Sequence, residues 1–143
     1  MMRDSVSVGS TIGASAGVVW RFLTVQRDTW WPDMRFGAAV GAPLVETWTE
    51  SGQVRSATGS VTRCEEARLL AFRWGEPGWA CPLDVMIRLL PQGRSTRVTI
   101  EEAGFRSAGV DPALPDEHEE GWRHHLARLR RASEAGGGAG APQ

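Results

Sequence analysis

Apolar and polar positions alternate from the first residues of the chain. In SVSVGSTI, residues 5–12, Val6, Val8 and Ile12 are separated by polar or small side chains, which predicts a strand with one buried face. Ser15 is placed to cap a following helix. In SAGVVWRFLTV, Ala16, Val19, Trp20 and Leu23 fall at i, i+3, i+4 and i+7, a short amphipathic helix. Pro32 disfavours helix at Trp31, so QRDTWWPDM is expected to be turn and loop.

From Pro43 to Ala103 the pattern is strands and turns. PLVETWTE runs to Ser51-Gly52, a hairpin signal, and VRSATGSVTRCEE returns, with Gly59 expected at a bulge or a close backbone approach. LLAFRW is a short apolar strand, and GEPGWACP is a loop. LDVMIRLLP sets Val85, Ile87 and Leu89 against Asp84, Met86 and Arg88, and TRVTIEEA turns Val98 and Ile100 inward. Consecutive strands with short turns imply an antiparallel meander. GFRSAGVDPALPDE is read as loop. A long helix follows, started either by Asp116 with Glu119 in a capping box or by Asp111-Pro112. Acidic residues lead it, and Arg128, Arg130 and Arg131 close it, an order that complements the helix dipole. The glycines of EAGGGAGAPQ are expected to stop it at Gly136, leaving residues 136–143 as a disordered tail behind a single domain of residues 1–135. The order strand, helix, meander, long helix makes an α+β fold in which the last helix, some 28 Å long at about 1.5 Å per residue, covers the apolar face of one sheet.

Composition adds exclusions. The 143 residues suit one domain, and the net charge of −1 provides no field for nucleic acid. No apolar run has the roughly 18–20 residues of a membrane helix, and the N-terminus carries no signal-peptide core, so a soluble cytoplasmic protein is expected. The chain has no lysine, asparagine or tyrosine; all sixteen basic residues are arginine, as in a GC-rich bacterial genome. Cys64 and Cys81 lack the spacing of a zinc site and are expected to be reduced and buried in strands.

All three histidines lie in HEEGWRHHLARL, residues 118–129. With His118 at the origin of a helical wheel, Trp122, His125, Leu126 and Leu129 fall within about 80° of it, while His124 lies about 120° away. The histidines therefore do not converge on one ion, and no metal and no cofactor are expected. The stripe His118, Trp122, His125, Leu129 faces either plain core or a ligand. Gly121 beside it is read as a close-packing position, since glycine inside a helix costs about 1 kcal/mol relative to alanine.

HEEGWRHHLARL resembles H-x-x-G-W-x-x-x-L-x-x-L, the C-terminal helix motif of bacterial homologues of the activator of heat-shock-protein-90 ATPase, in the START-like (SRPBCC) superfamily. TIGASAGVVWRFLT, VGAPLVETW, ATGSVTRCEEARLLAFRW and RVTIEEAGF are similar to the other elements in order, so the resemblance covers roughly residues 5–133. It implies a helix-grip (Bet v 1-like) fold: a curved antiparallel sheet of 6–7 strands wrapped around the long helix, with two short helices after the first strand. It also implies a cavity between sheet and helix that takes lipids, sterols, polyketides or hormones.

Three functions follow. The first is binding of a small hydrophobic or aromatic molecule, with Trp31, Trp48, Phe72, Trp74, Met86 and Trp122 as apolar wall, His118 and His125 as polar contacts, and Trp30-Trp31 at the mouth. The second is a polyketide cyclase or aromatase using His118, His125 or Glu46 as general acid or base. Glu46 shares a strand face with Leu44 and Trp48, although a solvated edge suits it better. No nucleophile motif is present, which weighs against catalysis. The third, implied by the resemblance, is a co-chaperone module. A homodimer stays open.

Overall fold

The computed structural model describes residues 2–140. Its elements are β1 (Ser5–Ile12), α1 (Ala16–Leu23), β2 (Met34–Phe36), β3 (Pro43–Glu50), β4 (Gln53–Glu65), β5 (Leu69–Gly75), β6 (Leu83–Gln92), β7 (Ser95–Ala103), α2 (Phe105–Ala108) and α3 (Leu114–Gly140). The seven strands form one antiparallel sheet in the order β1-β7-β6-β5-β4-β3-β2. This is the α+β helix-grip arrangement expected, with α3 laid against the sheet.

Local chemistry explains the elements. Ser15 caps α1 by accepting from the Val18 amide at 3.3 Å. Ser51 and Gly52 both take positive φ, 52° and 79°, as a two-residue hairpin turn of the primed kind requires. Gly59 is a close-approach point: a Cβ there would lie 1.7 Å from the Arg73 carbonyl oxygen. The bulge itself comes later in β4, where the register shifts between Val61 and Arg63. α3 begins at Leu114, two residues before Asp116; Asp111 closes the turn that precedes it, its side chain accepting from the Ala113 amide at 2.8 Å.

Several expectations are corrected. The loop expected over residues 26–34 ends in β2, which begins at Met34 and pairs with β3 as the sheet edge. Of the two short helices after β1, the second is a 3-10 turn of three residues, Arg27–Thr29. The segment read as loop before α3 contains α2. Cys64 is half-buried in β4, but Cys81 is exposed in the β5–β6 loop and fills no core position. α3 passes Gly136 and continues to Gly140, because those glycines are packing positions: a Cβ on Gly136 would lie 2.4 Å from the Phe22 ring, and one on Gly137 3.3 Å from Ala14. Residues 141–143 of the expected tail lie outside the described residues.

The core fills the concave side of the sheet. Val85, Ile87 and Leu89 of β6 and Val98 and Ile100 of β7 are buried there, as their alternation predicts, with Trp122, Leu126 and Leu129 of α3. Along its length α3 rests mainly on β1 and α1. Glu134 fixes its distal part by accepting from the Gly13 amide at 2.8 Å. The opposite half of the sheet, β3 to β5, is thereby left less covered beneath the first turns of α3.

Candidate functional site

Beneath those first turns lies a cavity of about 260 Å³. Its aromatic wall is Trp48 from β3, Trp74 from β5, Trp79 from the β5–β6 loop and Trp122 from α3. Trp74 and Trp122 pack at the back, with ring centroids 5.8 Å apart. Trp48 and Trp79 are half-buried and stand toward solvent. His118, His125 and Gly121 complete the α3 side. A Cβ on Gly121 would meet nothing within 4 Å, so this glycine is not the close-packing position expected; it leaves open space beside the cavity.

The polar centre behind the wall is Glu102, on β7 and fully buried. Its Oε2 accepts from Trp74 Nε1 at 2.8 Å, and its Oε1 accepts from Trp122 Nε1 at 2.8 Å. An indole N–H only donates, so both carboxylate oxygens are held as acceptors. His118 Nδ1 lies 2.8 Å from the same Oε1. Burial alone would lower the His118 pKa; the hydrogen bond and charge of Glu102, with Glu76 and Glu117 nearby, outweigh it and hold the imidazole above its usual range. His125 behaves oppositely. Burial, reinforced by His124 and Arg128, brings it down to about 4, its ring stacks on Trp31 at 4.2 Å, and its buried Nδ1 has no partner among the described residues. Two histidines two turns apart thus differ in charge preference because one faces a carboxylate and the other an indole.

Glu46 points inward and lines the cavity, not the solvated edge expected. Burial raises its pKa, although Trp31 Nε1 donates to its Oε2 at 2.9 Å. Glu76 also lines the cavity and is likewise raised by burial.

Of the residues singled out in the sequence, Trp48, Trp74, His118, Trp122 and His125 come together around the cavity. Phe72 is buried behind them, edge-on to Trp74 at 5.2 Å. Trp31 is also buried, between His125 and Glu46, and Trp30 is buried with its Nε1 donating to the Phe22 carbonyl, so neither forms the mouth. Met86 is in register with Ala71 and Glu101, on the sheet face away from the cavity, as its alternation with Val85 and Ile87 requires. His124 is exposed.

A family model for activator of Hsp90 ATPase homolog 1-like proteins matches residues 13–134. This chain belongs to that family. Solved structures agree in fold. CV1439 from Chromobacterium violaceum shares 17% identity at a TM-score of 0.76, over 92% of this chain and 97% of that one. MLL2253 from Mesorhizobium loti shares 22% at 0.72, over 90% and 95%. DynU16, from the dynemicin biosynthetic locus, shares 23% at 0.76, over 94% of this chain but 49% of its own. No curated protein matches. Among the described residues no helix is long and apolar enough to cross a membrane.

The family motif accounts for His118, Gly121, Trp122 and Leu126 in α3, but not for Glu102, Glu76 or Trp79. Glu102 had a signal: the inward alternation Thr96, Val98, Ile100 extends to it in β7. Glu76 and Trp79 belong to a loop, where no periodicity shows which side chains fold over a cavity.

Proposed function

We propose that this protein binds a small, largely aromatic molecule in the cavity between the sheet and α3. Gly121 is the observation that carries the reading. A glycine in a helix interior costs about 1 kcal/mol relative to alanine and is usually kept for close packing. Here nothing packs against it, and its missing side chain widens a space walled by four indoles. Local propensity yields to an empty volume, as at functional sites. An apolar cavity of about 150 Å³ takes one benzene ring, so 260 Å³ suits a molecule of about two fused rings. His118, His125 and Glu46 offer polar contacts that fix its orientation. DynU16 comes from a biosynthetic locus, which agrees with this reading but has no weight of its own at 23% identity.

The test is a cavity-filling variant. Native mass spectrometry of freshly purified protein looks for a retained small molecule, and intrinsic tryptophan fluorescence follows titration with naphthalene-sized aromatics. Gly121→Leu is expected to abolish binding while melting at or above the wild-type temperature. Undiminished binding in that variant would place the ligand elsewhere.

A second reading has its own observation. His118, paired with Glu102 and biased toward its protonated form at the cavity wall, is arranged as a general acid, as a cyclase or aromatase needs. It predicts turnover of an aromatic polyketide, lost in His118→Gln with binding retained. No feature among the described residues favours the co-chaperone reading.

A further inference from the structure

We propose that the cavity selects cationic ligands, specifically a protonated amine attached to an aromatic ring system. This inference rests on the binding reading above and names the ligand's charge. Four carboxylates line the cavity with the four indoles: Glu46 and Glu50 from β3, Glu76 from the β5–β6 loop and Glu117 from α3. They come from three separate segments of the chain. The protein as a whole is nearly balanced, with 17 acidic and 16 basic residues, so their gathering here is not the by-product of an acidic chain. His118 brings one imidazole against these four carboxylates and Glu102, so acidic groups outnumber basic ones around the cavity. The chain has no lysine, and among the described residues no arginine lines the space. Arg55 sits on the exposed rim, 3.8 Å from Glu50. His118 is engaged by Glu102, and His125 is held neutral by burial near neutral pH. Among the described residues Glu46, Glu76 and Glu117 form no ion pair.

The indoles reinforce this preference. An aromatic face attracts a cation through its quadrupole, tryptophan most strongly, by about 0.5–2 kcal/mol according to burial. Glu46 and Glu76, half-buried beside apolar walls, lose hydration; Glu46 gains the Trp31 N–H in return, and among the described residues neither gains an ion-pair partner. A bound ammonium group supplies that partner for Glu46 and Glu76, while its ring system fills the space beside Trp74 and Trp122. An anionic ligand of the same shape meets the opposite balance.

Isothermal titration calorimetry of the full chain near neutral pH, with three probes of one shape, tests the inference: 1-naphthylmethylamine (a cation), 1-naphthylmethanol (neutral) and 1-naphthoate (an anion). The amine is expected to bind about tenfold tighter than the alcohol, with the anion weakest. In the double variant Glu46→Gln, Glu76→Gln the amine's advantage is expected to shrink to about threefold or less, with thermal melting confirming a folded chain. Equal affinity of amine and alcohol, or tightest binding of naphthoate, overturns the charge preference and leaves the binding reading standing. An undiminished preference in the double variant overturns the assignment to these carboxylates. Absence of binding by all three probes overturns the inference together with the reading beneath it.

Discussion

Replacing Glu102 with glutamine tests whether one buried carboxylate organises the site. The wild-type carboxylate accepts from Trp74 through one oxygen, and from Trp122 and His118 through the other. A glutamine amide has one acceptor atom. If its oxygen takes the place facing Trp122 and His118, its NH₂ confronts the Trp74 N–H, donor against donor, in a fully buried position. At least one buried indole N–H is then unsatisfied, a cost of about 1–3 kcal/mol. That is a large part of the roughly 5–15 kcal/mol that holds a domain together. Glu102→Ala strands all three donors and opens a void, for about 3–5 kcal/mol. The charge has a separate signature. With Glu102 neutral, burial dominates at His118 and its pKa falls. A folded-state pKa above the unfolded value makes His118 stabilising at pH below its ordinary value, a contribution lost as pH rises through the folded value. Glu102→Gln should remove that window. Urea denaturation followed by tryptophan fluorescence gives the stability, and NMR titration of the His118 ring gives the pKa. A loss under about 0.5 kcal/mol, or an unmoved His118 pKa, would refute this account of the polar centre.

His125 carries the opposite pH dependence. Its pKa of about 4 in the fold, against 6.5 ordinarily, gives stability that is present above 6.5 and lost as pH falls toward 4. The amount is on the order of 3 kcal/mol, and denaturation midpoints across that range should show His125→Phe losing less than wild type, because it keeps the stack on Trp31 and cannot be protonated. Gly121→Ala should raise stability by about 1 kcal/mol in denaturant unfolding, since the methyl meets no atom. Gly59→Ala should instead yield little folded protein, because its Cβ would overlap the Arg73 carbonyl oxygen across the β4–β5 ladder, and backbone cannot yield as a side-chain tip can.

The contrast between these two glycines shows what the sequence could and could not tell. Gly59 was legible: a glycine within a strand pattern signals close approach, and a carbonyl is indeed there. Gly121 was misread because a helix wheel gives direction but not what stands opposite. β1 was legible to its ends from its alternation, and β3 from the Ser51-Gly52 turn that ends it. β2, three residues between Pro32 and Gly37, is too short to show a period and exists because β3 offers it an edge. Gly136 and Gly137 read as a stop by propensity, yet they continue α3, because the absence of side chains lets the helix lie close to α1. At the site, the stripe of His118, Trp122 and His125 was legible, but the partner of His118 was not. The stripe left plain core and ligand contact both open; Glu102 is the partner of His118, while among the described residues His125 Nδ1 has none. Two adjacent glutamates at a strand end look like a solvated edge until the alternation is carried one step further than the apolar residues run.

The cavity's role can be read from the indole N–H resonances of the seven tryptophans in a ¹H–¹⁵N NMR titration. The neutral probe 1-naphthylmethanol keeps this test independent of ligand charge. Trp48, Trp74, Trp79 and Trp122 should shift together along one saturating curve, while Trp20 and Trp30, buried away from the cavity, stay in place. Shifts at Trp20 or Trp30 without movement of those four, or no shift at any of the seven up to roughly millimolar probe, would contradict the claim that the space beneath α3 is a binding site.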